Sequence, residues 1–209
     1  MFQKPANSTG PEELLYADHE GNEGFVPTSW SPDGKFLLYF TGGGPRHEIW
    51  LLPLTPARPG AHLKPVRFLK TGFNELFGQF SPDGQWVAYG SDESGRYQIY
   101  VTPFSRPTER HQISANGGTR PRWRRDGKEL YYISLDGRLM ATEVQVSAKN
   151  VEVGQVHTLI TILSPDPSSA AGYPYEISPD GQRILTVVAP ADGAQPVTLV
   201  QNWTSALKK

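Results

Sequence analysis

Apolar residues along this chain come in short unbroken runs of three to five, set between clusters of Gly, Pro, Asp and Ser. In SPDGQWVAYGSDESGRYQIYVTPF, residues 81–104, an Asp-Gly turn leads into Trp86-Val87-Ala88-Tyr89. A Ser/Asp/Gly turn follows, and then Tyr97-Gln98-Ile99-Tyr100-Val101. β-Branched and aromatic residues bounded by turn residues predict β-strands. Runs that do not alternate apolar with polar predict strands covered on both faces. No window longer than about ten residues shows the 3.6-residue period of a helix.

The unit recurs. Ser31-Pro32-Asp33-Gly34 and Ser178-Pro179-Asp180-Gly181 repeat the turn, and Arg124-Arg125-Asp126-Gly127 repeats its second half. The turn glycines Gly34, Gly84, Gly127 and Gly181 stand 50, 43 and 54 residues apart, the period of propellers and solenoids. A large apolar residue precedes each turn: Trp30, Phe80, Trp123 and Ile177. After each turn come the runs 36–39, 86–89, 130–133 and 184–188, then a third element at 49–52, 99–101, 139–141 and 197–200. A more polar fourth element follows in three units, at 66–69, 111–113 and 156–160.

These readings predict an all-β fold: a β-propeller of four-stranded antiparallel blades, about four in this chain. The blade units are 25–70, 75–114, 119–163 and 173–203, within a propeller spanning 13–209. Residues 1–12 read as a disordered tail. The strand at 13–17 either completes the last blade, removing an open edge, or is the outer strand of a blade encoded upstream. Residues 164–172 are expected to form the loop crossing from the third blade to the fourth.

The turn chemistry explains the repeat. An Asp accepts a hydrogen bond from the backbone two residues on, Gly takes φ > 0 without a steric penalty, and Pro presets φ near −65°. Asp33, Asp83, Asp126 and Asp180, with Gly34, Gly84, Gly127 and Gly181, are therefore structural turn residues and not a ring of catalytic or metal-binding acids.

The aromatic-SPDG-apolar unit followed by Ile-Tyr-Val resembles the TolB-type propeller repeat, a relative of the WD-repeat blade, over roughly residues 13–209. Residues 80–104, 117–132 and 197–203 resemble the C-terminal propeller of bacterial membrane-anchored serine/threonine kinases. That resemblance implies a sensor or interaction domain behind a kinase domain and a membrane helix. TolB-like propellers usually have six blades, so four imply either a whole ring or part of one.

Composition narrows the chemistry. The 209 residues carry 20 basic and 21 acidic side chains, a net charge of −1, so no global field recruits nucleic acid or anionic lipid. There is no Cys, hence no disulfide, thiolate nucleophile or Cys-zinc site. The first fifteen residues lack the apolar stretch of a signal peptide, and no run approaches the ~18–20 residues of a membrane span. The location expected is extracytoplasmic or periplasmic for a kinase-derived domain and cytoplasmic otherwise.

The kinase HRD and DFG motifs, a phosphate-binding Gly-Lys-Ser/Thr and a Gly-x-Ser-x-Gly elbow are all missing from these residues. Ser91 and Ser94 lie in a hairpin turn without a placed base, and the five histidines, including His19, lack the spacing of zinc ligands. No catalytic residue, metal or cofactor is expected. One cluster stands out: Arg120, Arg122 and Arg124 fall on one face of a strand, with Arg125 beside them. They either pair with acids of neighbouring blades or bind an anionic ligand or acidic partner through their planar forks. The function expected is a non-catalytic protein- or ligand-binding sensor module, with self-association through open blade edges as a further expectation. The alternative is a propeller attached to a hydrolase of the prolyl-oligopeptidase type or to a lyase, its catalytic residues outside this chain.

Overall fold

The computed structural model describes residues 1–6, 10–17, 24–42, 46–56, 62–147, 150–162, 166–169 and 172–187, and the backbone of 197–201. His19, residues 43–45 of the glycine run, 163–165 and 170–171 of the crossing loop, and 202–209 lie outside the described residues. Four antiparallel sheets follow one another along the chain. The first is β3 (Gly24–Trp30), β4 (Phe36–Gly42), β5 (Ile49–Pro53) and β6 (Val66–Arg67); β1 (Phe2–Gln3) and β2 (Glu13–Leu14) precede it. The second is β7 (Glu75–Phe80), β8 (Trp86–Ser91), β9 (Gln98–Pro103) and β10 (His111–Gln112). The third is β11 (Thr119–Trp123), β12 (Glu129–Ile133), β13 (Arg138–Ser147) and β14 (Asn150–Thr161). The fourth holds three strands among the described residues, β15 (Tyr175–Ile177), β16 (Arg183–Val187) and β17 (Val197–Gln201). Each sheet runs in chain order from its first strand outward, which is the blade of a β-propeller. No helix among the described residues is long and apolar enough to cross a membrane.

The two-sided burial of the apolar runs follows from blade stacking. In β4, Leu38 and Phe40 pack with Leu76, Val87 and Tyr89 of the second blade, while Leu37 and Tyr39 face the other way. Val87 and Tyr89 of β8 look back to the first blade, and Trp86 and Ala88 look on to Leu130 and Tyr132 of the third. Tyr131 and Ile133 then meet Tyr175 and Ile184 of the fourth. Each alternating strand thus contributes to two cores.

The two ends of this fan differ. The sequence suggested a disordered 1–12 and a strand at 13–17 that completes the last blade or belongs to one encoded upstream; in the structure β1 pairs with β2, Phe2 opposite Leu14. Met1, Leu15 and Tyr16 then pack on Leu37, Tyr39 and Leu52, the outer face of the first blade. On the outer face of the fourth blade Leu185 remains 49% exposed.

The repeated turns share one hydrogen-bond pattern. The Asp accepts the amide two residues on, at 3.0–3.1 Å, in all four. In three of them the Ser hydroxyl donates to that Asp and accepts the amide five residues on at 2.9 Å. Ser134-Leu135-Asp136-Gly137 builds a related turn between β12 and β13, in which the Ser hydroxyl donates to the Asp and accepts the amide four residues on. Gly84 has φ of 72°, and a Cβ there would stand 3.2 Å from Pro32 Cδ of the preceding turn. Gly84→Val therefore meets both backbone strain and a neighbouring turn, and should lower stability by about 2 kcal/mol. A thermal melt checks this; an unchanged midpoint would refute it.

Candidate functional site

The innermost strands do not run straight. Register slips between Pro27 and Ser29 in β3, between Leu76 and Gln79 in β7, and between Thr119 and Arg122 in β11. At the slips Phe77 and Arg120 take φ of 58° and 55°. Both stand seven residues before their turn glycine, where the first and fourth blades have Pro27 and Pro174, whose rings forbid such a φ. The expected common face for Arg120, Arg122 and Arg124 fails for this reason: the bulge breaks the two-residue period between the first and second of them.

Arg120 is fully buried. Its Nε donates to Gly172 O at 3.2 Å, and its Nη2 to Asp166 O and Ser169 O at 3.2 and 3.0 Å. The guanidinium carbon lies 4.5 Å from the Phe77 ring centroid. Burial draws its pKa down from the ordinary value, and the carbonyl dipoles and the ring face stabilise the charge in place of water. Arg120 is a clamp on the loop entering the fourth blade, out of reach of a ligand.

Arg122 stacks 4.1 Å from the Tyr173 ring centroid and pairs with Glu176 at 3.0 Å. The Tyr173 hydroxyl accepts from Gln79 Nε2 and shares its proton between the carbonyls of Phe77 and Pro121. Gln79 also donates to Thr28 O and accepts, at its backbone carbonyl, from Trp123 Nε1. Through these bonds all four blades are tied near the axis. Gln79, Arg122 and Glu176 each lie two residues before the first residue of a turn, so the Arg122–Glu176 pair joins equivalent positions of adjacent blades. That equivalence was the available signal for the pair; Tyr173 carried none.

Arg124 takes the place of the turn serine. Its Nε and Nη2 hold both oxygens of Asp126 at 2.8 Å, and Nη1 reaches Glu129 at 2.8 Å. This contact keeps the Asp126 carboxyl below its ordinary pKa. Arg125, in the turn-proline position, is exposed and has no ion-pair partner among the described residues.

The residues ahead of the turns, Trp30, Phe80, Trp123 and Ile177, converge with Arg122, Arg124 and Arg125 on a cavity of about 210 Å³. Trp30 is half exposed there. The mouth of the fan is thus cationic and aromatic, and its single lining carboxylate, Glu176, is already paired with Arg122.

A second perturbed group lies between the first two blades. Glu75, at the start of β7, is 1% exposed and accepts a hydrogen bond from the Thr71 hydroxyl. Burial first, and then the nearby Glu48 and Glu93, push its pKa up to about 8, against the pull of Arg110.

No family model matches the chain. It is 28% identical over 140 residues to the uncharacterised protein Atu1656 of Agrobacterium fabrum, covering 64% of this chain and 45% of that protein. The crystal structure of TolB from Acinetobacter baumannii superposes with a TM-score of 0.61 at 21% identity, over 93% of this chain and 44% of TolB. An oligogalacturonate lyase from Vibrio parahaemolyticus gives 0.58 at 17% identity, over 92% of this chain and 52% of the lyase. The chain therefore spans about half the length of the proteins it matches, and the likeness establishes the fold, a partial propeller of four-stranded blades.

Proposed function

We propose that this chain is a non-catalytic recognition module whose propeller mouth binds acidic groups of a protein or small ligand. The observation that carries the reading is Arg125: an exposed guanidinium without an ion partner among the described residues, beside Trp30 and Trp123 in a cavity formed by all four turns. Arg122 and Arg124 line the same cavity, each held in place by its own acids. A lyase-like or hydrolase-like reading has less support, because the mouth's one carboxylate is engaged by Arg122.

The test is a titration with a hexaglutamate peptide, followed by intrinsic tryptophan fluorescence, with a Trp30→Phe, Trp123→Phe double variant showing how much of the change comes from the mouth. Saturable binding should weaken with salt, and Arg125→Glu should lower affinity by about tenfold or more, since one lost charge pair plus one repulsion is worth at least ~1.4 kcal/mol. Unchanged affinity in Arg125→Glu with an intact circular dichroism spectrum would remove the reading.

We place the module, within that proposal, at the C-terminal end of a membrane-anchored serine/threonine kinase, acting outside the cytoplasm. The support is the resemblance of residues 80–104 and 117–132. A reading frame that continues upstream through an apolar span of about 20 residues into a kinase domain would bear this out. Any other upstream gene structure would reject it.

A further inference from the structure

Among the described residues the third blade carries the longest strand pair, β13 and β14. β13 pairs with β12 as far as Glu143 opposite Glu129, and the Val144 amide still reaches Lys128 O at 2.9 Å. Beyond that point β13 runs on to Ser147 paired only with β14, ending at Ser147 opposite Asn150. Along an antiparallel strand successive residues send their backbone groups to alternate sides. Since the Val144 N–H points to the β12 side, the N–H and C=O of Val146 point there too. No described residue of this blade pairs with Val146 on that side. It is a groove of about 890 Å³, walled by β13, the second blade's turn at Ser81-Pro82-Asp83 and the third blade's turn.

The long outer edge of β14 is a poorer template. It is bulged between the partners of Leu139 and Met140 and again between those of Thr142 and Val144, the device by which sheets blunt an edge. The inner overhang of β13 is straight from Val144 to Ser147.

We infer that this groove accepts an extended basic peptide of a partner protein, added as a strand to β13 at Val146. Strand addition supplies main-chain hydrogen bonds, and the groove's side chains then select the sequence. Four carboxylates, Asp83, Asp126, Glu129 and Glu143, line it against two cations, Arg124 and Lys128, a net of −2. Arg124 is committed to Asp126 and Glu129, whereas Asp83 and Glu143 have no ion partner among the described residues. Lysine or arginine at alternate positions of the incoming strand suits both. The groove adjoins the mouth at Ser81, Pro82 and Arg124, but Asp83, Glu143 and the Val146 edge lie outside the mouth's lining, and the inference does not rest on that assignment.

The probe is a fluorescein-labelled peptide of alternating Lys and Thr, on the order of eight residues, measured by polarisation against the 209-residue chain. Val146→Pro removes only a groove-facing N–H, because that position lies between the β13–β14 hydrogen-bonded pairs. Binding should weaken about tenfold or more in Val146→Pro and in Glu143→Lys, the size of a lost charge-assisted contact. The same peptide N-methylated at alternate residues should not bind, a control that holds even where a variant misfolds. Equal binding of the methylated peptide, or none by the parent, overturns the proposal. So does a dimer in light scattering that Val146→Pro dissolves, because the occupant is then a second copy of this chain.

Discussion

Replacing Arg120 with Ala should lower the free energy of unfolding by about 3–5 kcal/mol, the range for breaking a buried, hydrogen-bonded charge site. The substitution strands three carbonyls, those of Asp166, Ser169 and Gly172, that now share the guanidinium's protons. It also uncovers the face of Phe77 and leaves a cavity beside it, while the unfavourable φ of 55° remains with the new side chain. Arg120→Lys keeps the charge but not the fork that spans three acceptors, so it should fall between the two. Urea denaturation measures all three proteins. Proteolysis or hydrogen exchange should show residues 166–172 opening before the rest of the blade. Arg125→Ala, on the exposed turn, is the control and should stay within about 0.5 kcal/mol of the parent. Equal effects of the two substitutions would mean that Arg120 is not a clamp.

The second large effect is a pH dependence carried by Glu75. Its pKa in the folded protein is about 8, above the ordinary 4.5. Between those values the folded state holds a proton that the unfolded chain has released. Stability is therefore greatest at the acidic end of this window and falls as pH rises toward 8, the reverse of a salt-bridged carboxylate. At ~1.4 kcal/mol per pH unit the ceiling is about 4–5 kcal/mol, and local relaxation brings the expected loss nearer 2–3 kcal/mol. The groups facing Glu75 account for the sign: Glu48, Glu93 and Asp92 repel its charge, Arg110 alone attracts it, and burial outweighs them all. Glu75→Gln mimics the protonated form. Its urea midpoint should match the parent near pH 5 and exceed it clearly near pH 8.5. Parallel curves for the two proteins across that range would show that Glu75 ionises without consequence.

Much of the blade architecture could be read from residue order because the turn is chemically explicit. Asp-Gly after Ser-Pro leaves the chain one economical conformation, and the apolar runs behind it can only be buried on both sides. The misses have physical reasons. Phe77 and Arg120 sit at positive φ, yet neither residue type announces it as glycine would, so the bulges and the dispersal of the arginine cluster were invisible. Residues 142–153 alternate Thr-Glu-Val-Gln-Val-Ser and then Val-Glu-Val, which is a legible strand pair; shortening the third element to 139–141 discarded it. Glu75 in Asn-Glu-Leu-Phe-Gly-Gln looks like any edge carboxylate, and only the packing of two blades around it makes it unusual. The Arg122–Glu176 contact spans adjacent blades, so it emerges only once the repeats are superposed.

The unlike ends of the fan have a consequence for assembly. Head-to-tail growth, whether into a closed ring or an open filament, requires each unit to offer one bare face behind and one ahead. Here the rear face is already occupied by Met1, Leu15 and Tyr16, while the forward face presents Leu185 to solvent. Residues 1–3 and 13–16 thus cover apolar surface that a neighbouring blade would otherwise bury. A copy approaching from that side must first lift Met1, Leu15 and Tyr16 off Leu37, Tyr39 and Leu52.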